Sequence, residues 1–240
     1  MLSLDEQNRL REIYRRQHPG WQPATECYAA LVREHLQPHG RVLDLGCGRG
    51  GLVEQLDHPL AQIVGIDPDL ASLREHRLPL PRAQATSAHL PLASRSIDVA
   101  FASWLLEHLA EPWRDFAELA RVLQPGGVFV FITPNRRHPL ALLNRLLGRA
   151  GQGQRWLVSR LYGRSGEDTF PTAYRANSPQ TLAALAAAHG LRLERLETIE
   201  DPTYLAFTPA LFRLAQRLGE RLPPERRLHL VGVLQAKRSL

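Results

Sequence analysis

The sequence predicts a doubly wound α/β fold with a mostly parallel sheet, helices on both faces and an antiparallel edge strand. Two observations carry this prediction. Short apolar runs alternate with helical stretches from residue 41 to residue 135, and such alternation is typical of parallel βαβ units. The last two apolar runs, 191–199 and 229–238, are joined by a mainly helical excursion, which favours an antiparallel pair at the edge of the sheet.

The first half of the chain contains the alternation. Two helices are expected first, ended by His18-Pro19-Gly20 and by Pro38-His39-Gly40. Ser178-Pro179 marks a later helix, with a capping residue followed by proline at the first helical position. The predicted helices before residue 135 are 4–17, 24–36, 51–56, 68–76 and 112–123, and the predicted strands there are 41–46, 62–67, 96–103 and 128–133.

Composition limits the class of protein. The 240 residues suffice for one large α/β domain, and we expect a single domain over 1–240. The first residues lack an apolar signal-peptide core, the apolar runs are too short to span a bilayer, and two cysteines make no disulfide framework. We therefore expect a cytoplasmic protein. Residues 136–240 carry 17 basic against 8 acidic side chains, which indicates either a solvated basic face or a surface for an anionic partner.

The stretch VLDLGCGRGG, residues 42–51, combines a buried strand with a glycine turn. It fits the dinucleotide fingerprint G-x-G-x-x-G, and Asp67 lies 21 residues beyond Gly46, where it would bind ribose hydroxyls. Asp44 argues against a nicotinamide cofactor and hence against an oxidoreductase, because a carboxylate beside the turn would repel a pyrophosphate. S-adenosylmethionine carries a sulfonium and an ammonium instead, and an acid attracts both.

Four segments in order resemble the class I S-adenosylmethionine-dependent methyltransferases. They are VLDLGCGRG, VGIDPD (64–69), LPLASRSIDVAFASWLLEHL (90–109) and LQPGGVFVFITPN (123–135). The resemblance is close over residues 40–135 and implies a Rossmann-like sheet of seven strands. It also implies methyl transfer with S-adenosylmethionine as cofactor.

The resemblance assigns cofactor contacts residue by residue. Asp44 and the turn would hold the methionine moiety, Asp67 the ribose, and Pro68 would lie against the adenine. Many relatives carry Gly-Asp-Ala where this chain has Ala85-Thr86-Ser87, so a hydroxyl of Thr86 or Ser87 would replace the usual adenine contact. The implied cofactor-binding set is Asp44, Gly46, Cys47, Gly48, Asp67, Pro68, Thr86, Ser87, Ser103 and Trp104, with His108 near the sulfonium end.

Methyl transfer needs alignment first, and needs a base only when the acceptor is a hydroxyl or a protonated amine. His138, His108 and Tyr174 are the candidate bases. Six other histidines stand at helix ends, turns or a strand start, where capping or solvation is the expected role: His18, His39, His58, His76, His189 and His229. No histidine spacing suggests a metal site.

Two segments outside the alternating pattern, 136–175 and 201–228, are predicted insertions that shape the acceptor pocket. Within 201–222 an apolar stripe runs beside arginines, which indicates packing over the sheet edge, binding of an apolar acceptor or a weak peripheral membrane contact. The stripe is Leu205, Phe207, Leu211, Phe212, Leu214 and Leu218, and the arginines are Arg213, Arg217 and Arg221.

The expected acceptor is a small molecule or a lipid-like molecule. Sparse aromatic and basic interleaving disfavours nucleic acid as a substrate. The alternative function is a catalytically inactive S-adenosylmethionine-binding partner protein.

Overall fold

The computed structural model describes residues 4–142, 172–206 and 208–238. Within these ranges seven strands form one sheet, in the order β3-β2-β1-β4-β5-β7-β6. The strands are β1 (Val42–Leu45), β2 (Ile63–Asp67), β3 (Arg82–Gln84), β4 (Ile97–Ser103), β5 (Leu123–Pro134), β6 (Leu191–Ile199) and β7 (His229–Ala236).

Six α-helices with complete bounds accompany the strands in the described residues. Side chains cap three of them: the carboxylate of Asp69, the hydroxyl of Ser178 and the hydroxyl of Thr208 each accept from backbone N–H groups of the first turn. None of the helices in the described ranges combines the length and apolar character that a membrane crossing requires. The helices are α1 (Leu4–Gln17), α2 (Ala24–His35), α3 (Leu70–Arg74), α4 (Pro112–Val122), α5 (Pro179–Ala188) and α6 (Pro209–Arg221).

Strand directions confirm the predicted mixed sheet. Strands β1 to β5 are parallel to one another, and β7 runs antiparallel to both β5 and β6. The last two strands therefore form an antiparallel pair at the edge, with β7 inserted between β5 and β6. This insertion brings the first residue of β7 beside Pro134, the last residue of β5.

Two local predictions were wrong, and one strand was missed. Residues 51–56 form a 3-10 turn over Leu52–Gln55 and no α-helix. Strand β3 was not predicted because it is three residues long and lies at an edge, without a buried apolar run. Strand β5 begins at Leu123 instead of residue 128, since an irregularity in its pairing with β4 lets residues 124–127 stand between the partners of Ile97 and Val99.

Side-chain alternation along the strands divides the core into two layers. One layer, the α2 face, joins α2 to alternate strand residues such as Val42, Phe101 and Val231. The other, the α4 face, joins α4 and α5 to the intervening strand residues. Because the period of a strand is two residues, the polar residues at the strand ends that point to the α2 face are Asp44, Asp67, Ser103 and His229.

Candidate functional site

The glycine turn follows β1 directly and is bound to the end of β2. Gly46 and Gly48 have φ angles of +77° and +49°, in the left-handed region that glycine adopts most readily. The backbone N–H groups of Gly46 and Cys47 donate to the carbonyl oxygen of Ile66 at 2.7 and 3.1 Å. The N–H of Gly48 donates to Oδ2 of Asp67 at 2.8 Å, so the turn and the second acid form one rigid unit.

Asp44 and Asp67 are both buried, with 7% and 8% of their surfaces exposed. Asp67 is fixed by two backbone donors, since its Oδ1 also accepts from the N–H of Asp69 at 2.8 Å. Burial, and secondarily the charge of Asp67, raise the pKa of Asp44 to about 7. A cation placed beside Asp44 would favour its ionised form, and the position therefore suits a positively charged ligand group.

Cys47 and Pro68 flank this unit and contribute shape more than reactivity. Burial, followed by the nearby charges of Asp44 and Asp67, raises the pKa of the Cys47 thiol to about 12, so the thiol stays protonated and is a poor nucleophile. Pro68 is exposed directly after β2. Its carbonyl oxygen accepts from the side-chain amide of Gln84 at 3.0 Å, and because the residue is exposed its ring is accessible to a flat ligand group.

The two hydroxyls predicted for the adenine differ in their surroundings. The Ser87 hydroxyl donates to Oδ1 of Asp115 on α4 at 2.5 Å, so its proton is used within the protein. Thr86 is exposed, and its hydroxyl is the accessible one. The structure therefore favours Thr86 over Ser87 as a donor to a ligand.

Ser103 is the last residue of β4, the strand beside β1, and Trp104 follows it directly. Trp104 has a φ of +56°, an unusual value for a bulky residue and one that is often found at functional sites. Its backbone N–H donates to the carbonyl oxygen of Ile132 at 3.0 Å. Its indole packs edge-on against the ring of His229, with the ring centroids 5.2 Å apart. The strained backbone thus directs a large aromatic group along the carboxyl ends of the strands.

The three predicted bases occupy two different places. His138 is buried, its Nδ1 accepts from the N–H of Leu140 at 3.2 Å, and its Nε2 lies 3.5 Å from Oε1 of Glu200. Both ring nitrogens of His138 thus face protein groups. His108 ends a 3-10 turn after β4, and the N–H of Tyr174 donates to the carbonyl oxygen of Glu107 at 3.0 Å, so the backbone of Tyr174 lies beside the residue that precedes His108.

Sequence reasoning missed His229, which was expected to be a capping or solvated residue. The side chain is 4% exposed and packs edge-on against Trp104 and Tyr204, each with ring centroids at 5.2 Å. Its Nδ1 finds no hydrogen-bond partner among the described residues. Burial lowers the pKa of His229 to about 4, so the imidazole is neutral near pH 7 and the buried site disfavours its protonated form. Only the antiparallel pairing of β7 brings it to this edge.

Comparisons with known proteins agree with this geometry. The family model described as "Methyltransferase domain" matches residues 43–131, from the start of β1 into β5. A "probable S-adenosylmethionine-dependent methyltransferase" of Mycolicibacterium smegmatis is 37% identical over 98 residues, which cover 40% of this chain and 38% of the relative. An "uncharacterized methyltransferase" of Mycobacterium sp. (strain JLS) is 30% identical over 181 residues, which cover 71% of this chain and 66% of the relative.

The chain thus spans from about two fifths to two thirds of the length of these relatives. A solved structure extends the fold comparison to most of the chain. The S-adenosylmethionine-dependent methyltransferase of Mesorhizobium loti has a TM-score of 0.59 at 19% identity, covering 89% of this chain and 100% of that one. Sequence motifs, sheet topology and family match agree, and the chain belongs to the class I S-adenosylmethionine-dependent methyltransferases.

Proposed function

We propose that the protein transfers a methyl group from S-adenosylmethionine to a small-molecule or lipid-like acceptor. The observation that carries the proposal is the pair of buried carboxyls, Asp44 and Asp67, at the ends of adjoining strands. The pyrophosphate of a dinucleotide would be repelled by Asp44, whereas S-adenosylmethionine presents two cationic groups. The acids therefore support the family's cofactor over a nicotinamide cofactor.

The residues present fit this cofactor. Asp67, held by two backbone donors, would bind the ribose hydroxyls, and the turn of Gly46 and Gly48 allows close approach of the methionine moiety. Asp44 would face the ammonium group, and exposed Pro68 would lie against the adenine. When bound, the cofactor supplies a methyl group that its sulfonium has already activated for in-line displacement.

The protein's own contribution is then alignment and, for some acceptors, removal of a proton. Where the acceptor is a hydroxyl or a protonated amine, a base must take its proton as the bond to carbon forms. His138, His108 and Tyr174 remain candidates. We add His229 as a fourth candidate on geometry alone, because its Nδ1 is unpartnered within the described ranges and its ring packs against Trp104 after β4.

The surroundings of His229 support an acceptor with apolar or aromatic character. Trp104 and Tyr204 both pack edge-on against its ring, and Tyr204 belongs to the excursion between β6 and β7. We propose that the two insertions, 136–175 and 201–228, shape the acceptor pocket. Residues 143–171 of the first insertion and Phe207 of the second lie outside the described residues.

A peripheral membrane contact is a second, separable part of the proposal. Phe212 of the predicted stripe points inward and packs near Tyr14, so the stripe is narrower than the sequence indicated. The outer leucines remain between 42% and 50% exposed, and arginines lie beside them on α6. An exposed leucine row next to arginines suits an anionic bilayer surface. The leucines are Leu211, Leu214 and Leu218, and the arginines are Arg213, Arg217 and Arg221.

Label transfer tests the acceptor class. Protein is incubated with S-adenosylmethionine labelled in its methyl group and with separated bacterial fractions of small molecules, lipids, protein and nucleic acid. The proposal expects label in the small-molecule or lipid fraction, and none with the double variant Asp44→Asn, Asp67→Ala. Label confined to nucleic acid or protein would contradict the acceptor class. Binding of S-adenosylhomocysteine with no transfer to any fraction would support the inactive partner protein instead.

Co-sedimentation tests the membrane contact. Vesicles of phosphatidylcholine alone and of phosphatidylcholine with phosphatidylserine are compared at low and high salt. We expect weak, salt-sensitive binding to the anionic vesicles, lost in Leu214→Glu and retained in the control Leu70→Glu, which alters an exposed leucine on α3. Equal sedimentation with both vesicle types at low salt would refute the contact.

A further inference from the structure

Tyr28 is a fully enclosed tyrosine on the side of the sheet that carries the two acids. It lies on α2, is 3% exposed, and packs in the α2 face with Phe101 and Val130. Helix α2 packs on β4, β5 and β7, and the phenol ring extends from this helix toward the ends of the strands that carry Asp44 and Ser103. The ring itself is an ordinary part of the core.

The hydroxyl of Tyr28 is unusual in its hydrogen bonding. It is buried and has no hydrogen-bond partner among the residues that the structure describes. Two groups act on the phenol: the Ser103 hydroxyl, whose interaction with the phenol oxygen favours the ionised form but falls short of a well-formed hydrogen bond, and the charge of Asp44, which opposes ionisation. Buried polar groups are nearly always paired in native proteins, because an unpaired one costs stability. An orphaned hydroxyl at this place therefore indicates a partner that is absent from the chain itself.

The position of the hydroxyl identifies that partner. Asp44 and Ser103 both stand at carboxyl ends of neighbouring parallel strands and point to the α2 face. Ligands of open α/β sheets bind at this edge. The group expected beside Asp44 is the amino-acid portion of the cofactor, which carries an ammonium and a carboxylate. A phenol hydroxyl can accept from the first and donate to the second.

We propose that the Tyr28 hydroxyl is a cofactor-binding group that hydrogen-bonds the amino-acid end of S-adenosylmethionine beside Asp44. The inference rests on the proposed function, since it requires that cofactor. It adds a contact from the helix preceding β1, outside every motif that the sequence pattern singled out. Burial, chiefly, and the charge of Asp44 raise the pKa of Tyr28 well above its ordinary value, so the hydroxyl keeps its proton when a ligand arrives.

Tyr28→Phe tests the proposal by two opposite effects. Removing an unpaired hydroxyl relieves a cost in the ligand-free protein, so its melting temperature should stay level or rise by about 2–4 °C. The same change removes a bond to a charged ligand group, so calorimetry should show S-adenosylhomocysteine binding roughly 10- to 100-fold more weakly. Binding of 5′-methylthioadenosine, which lacks the amino-acid end, should be unchanged.

Tyr14→Phe is the matched control, because Tyr14 is a similarly buried tyrosine that packs in a separate cluster with Phe212. It should leave the affinity for both ligands unchanged. Equal affinity of wild type and Tyr28→Phe for S-adenosylhomocysteine would overturn the inference while leaving the proposed function intact. Equal weakening of both ligands would also overturn it, since the hydroxyl would then act on the whole site. Failure of the wild type to bind S-adenosylhomocysteine would instead refute the proposed function.

Discussion

Replacing Asp44 by asparagine should change how the stability of the ligand-free protein depends on pH. Burial and the charge of Asp67 raise the pKa of Asp44 from 3.8 to about 7 in the folded protein. Between pH 3.8 and about pH 7, Asp44 is therefore protonated in the folded state and ionised in the unfolded state. The stability that comes from this proton is fully present below pH 3.8 and is lost as the pH rises through about 7.

The magnitude follows from the size of the shift. A shift of about three pKa units, at 1.36 kcal/mol per unit, lowers the free energy of unfolding by roughly 4 kcal/mol between pH values well below 3.8 and pH values well above 7. Between pH 5 and pH 8 the expected loss is about 2.5 kcal/mol. Asp44→Asn keeps the shape of the side chain but cannot titrate, so the variant should gain that amount relative to wild type over the same interval. For a domain of this size the gain corresponds to about 5–10 °C in melting temperature.

Urea unfolding of both proteins at pH 5 and pH 8 without cofactor provides the measurement. Titration of all other groups is common to the two proteins, so the difference between variant and wild type isolates Asp44. A difference in unfolding free energy that is the same at both pH values would refute the reasoning, because it would show that Asp44 does not titrate abnormally in the folded protein. A variant that loses stability relative to wild type between pH 5 and pH 8 would refute it as well.

Three further predictions concern ligands and turnover. Asp67→Ala should lower the affinity for both S-adenosylhomocysteine and 5′-methylthioadenosine by roughly 10- to 150-fold. Asp44→Asn should lower only the affinity for S-adenosylhomocysteine, and calorimetry with both ligands distinguishes the two patterns. Because the ammonium requires an ionised Asp44, the affinity of wild type for S-adenosylhomocysteine should fall up to about tenfold per pH unit below 7, and a flat profile from about pH 5.5 to 7 would contradict this. Once an acceptor with a transferable proton is found, His229→Asn should lower kcat by roughly 100-fold or more with unchanged S-adenosylhomocysteine affinity. Imidazole added to His229→Ala should restore part of the turnover, and a larger kcat loss in His138→Ala than in His229→Asn would place the base at His138.

Much of the fold could be predicted because its signals are local. Apolar runs mark the buried strands, and the glycine turn follows the first of them. The spacing from Gly46 to Asp67 is set by one crossover between parallel strands, so the sequence alone places the two acids at neighbouring strand ends. Strand β3 has no such signal, since three partly exposed residues at an edge form no apolar run.

The rest of the site depends on contacts between distant parts of the chain. His229 reaches the carboxyl edge only because β7 inserts antiparallel beside β5, and the sequence alone shows no more than a histidine at the start of a strand. Tyr28 lies on a helix that precedes the first strand, and its hydroxyl becomes conspicuous only when its surroundings are known. Ser87 and Thr86 are equivalent as sequence candidates, and only the approach of Asp115 on α4 to hydrogen-bonding distance of Ser87 distinguishes them.

The central claim is that the buried acids select a cationic, phosphate-free cofactor, and calorimetric titration of the wild-type chain with S-adenosylhomocysteine and with NADH tests it most directly. At about pH 7.5, where Asp44 can ionise beside a cation, we expect one S-adenosylhomocysteine to bind per chain, in competition with S-adenosylmethionine, and no measurable heat of binding from NADH. Asp44→Asn should weaken S-adenosylhomocysteine without creating a site for NADH. Binding of NADH to the wild type in place of S-adenosylhomocysteine, or NADH binding that strengthens in Asp44→Asn, would contradict the account.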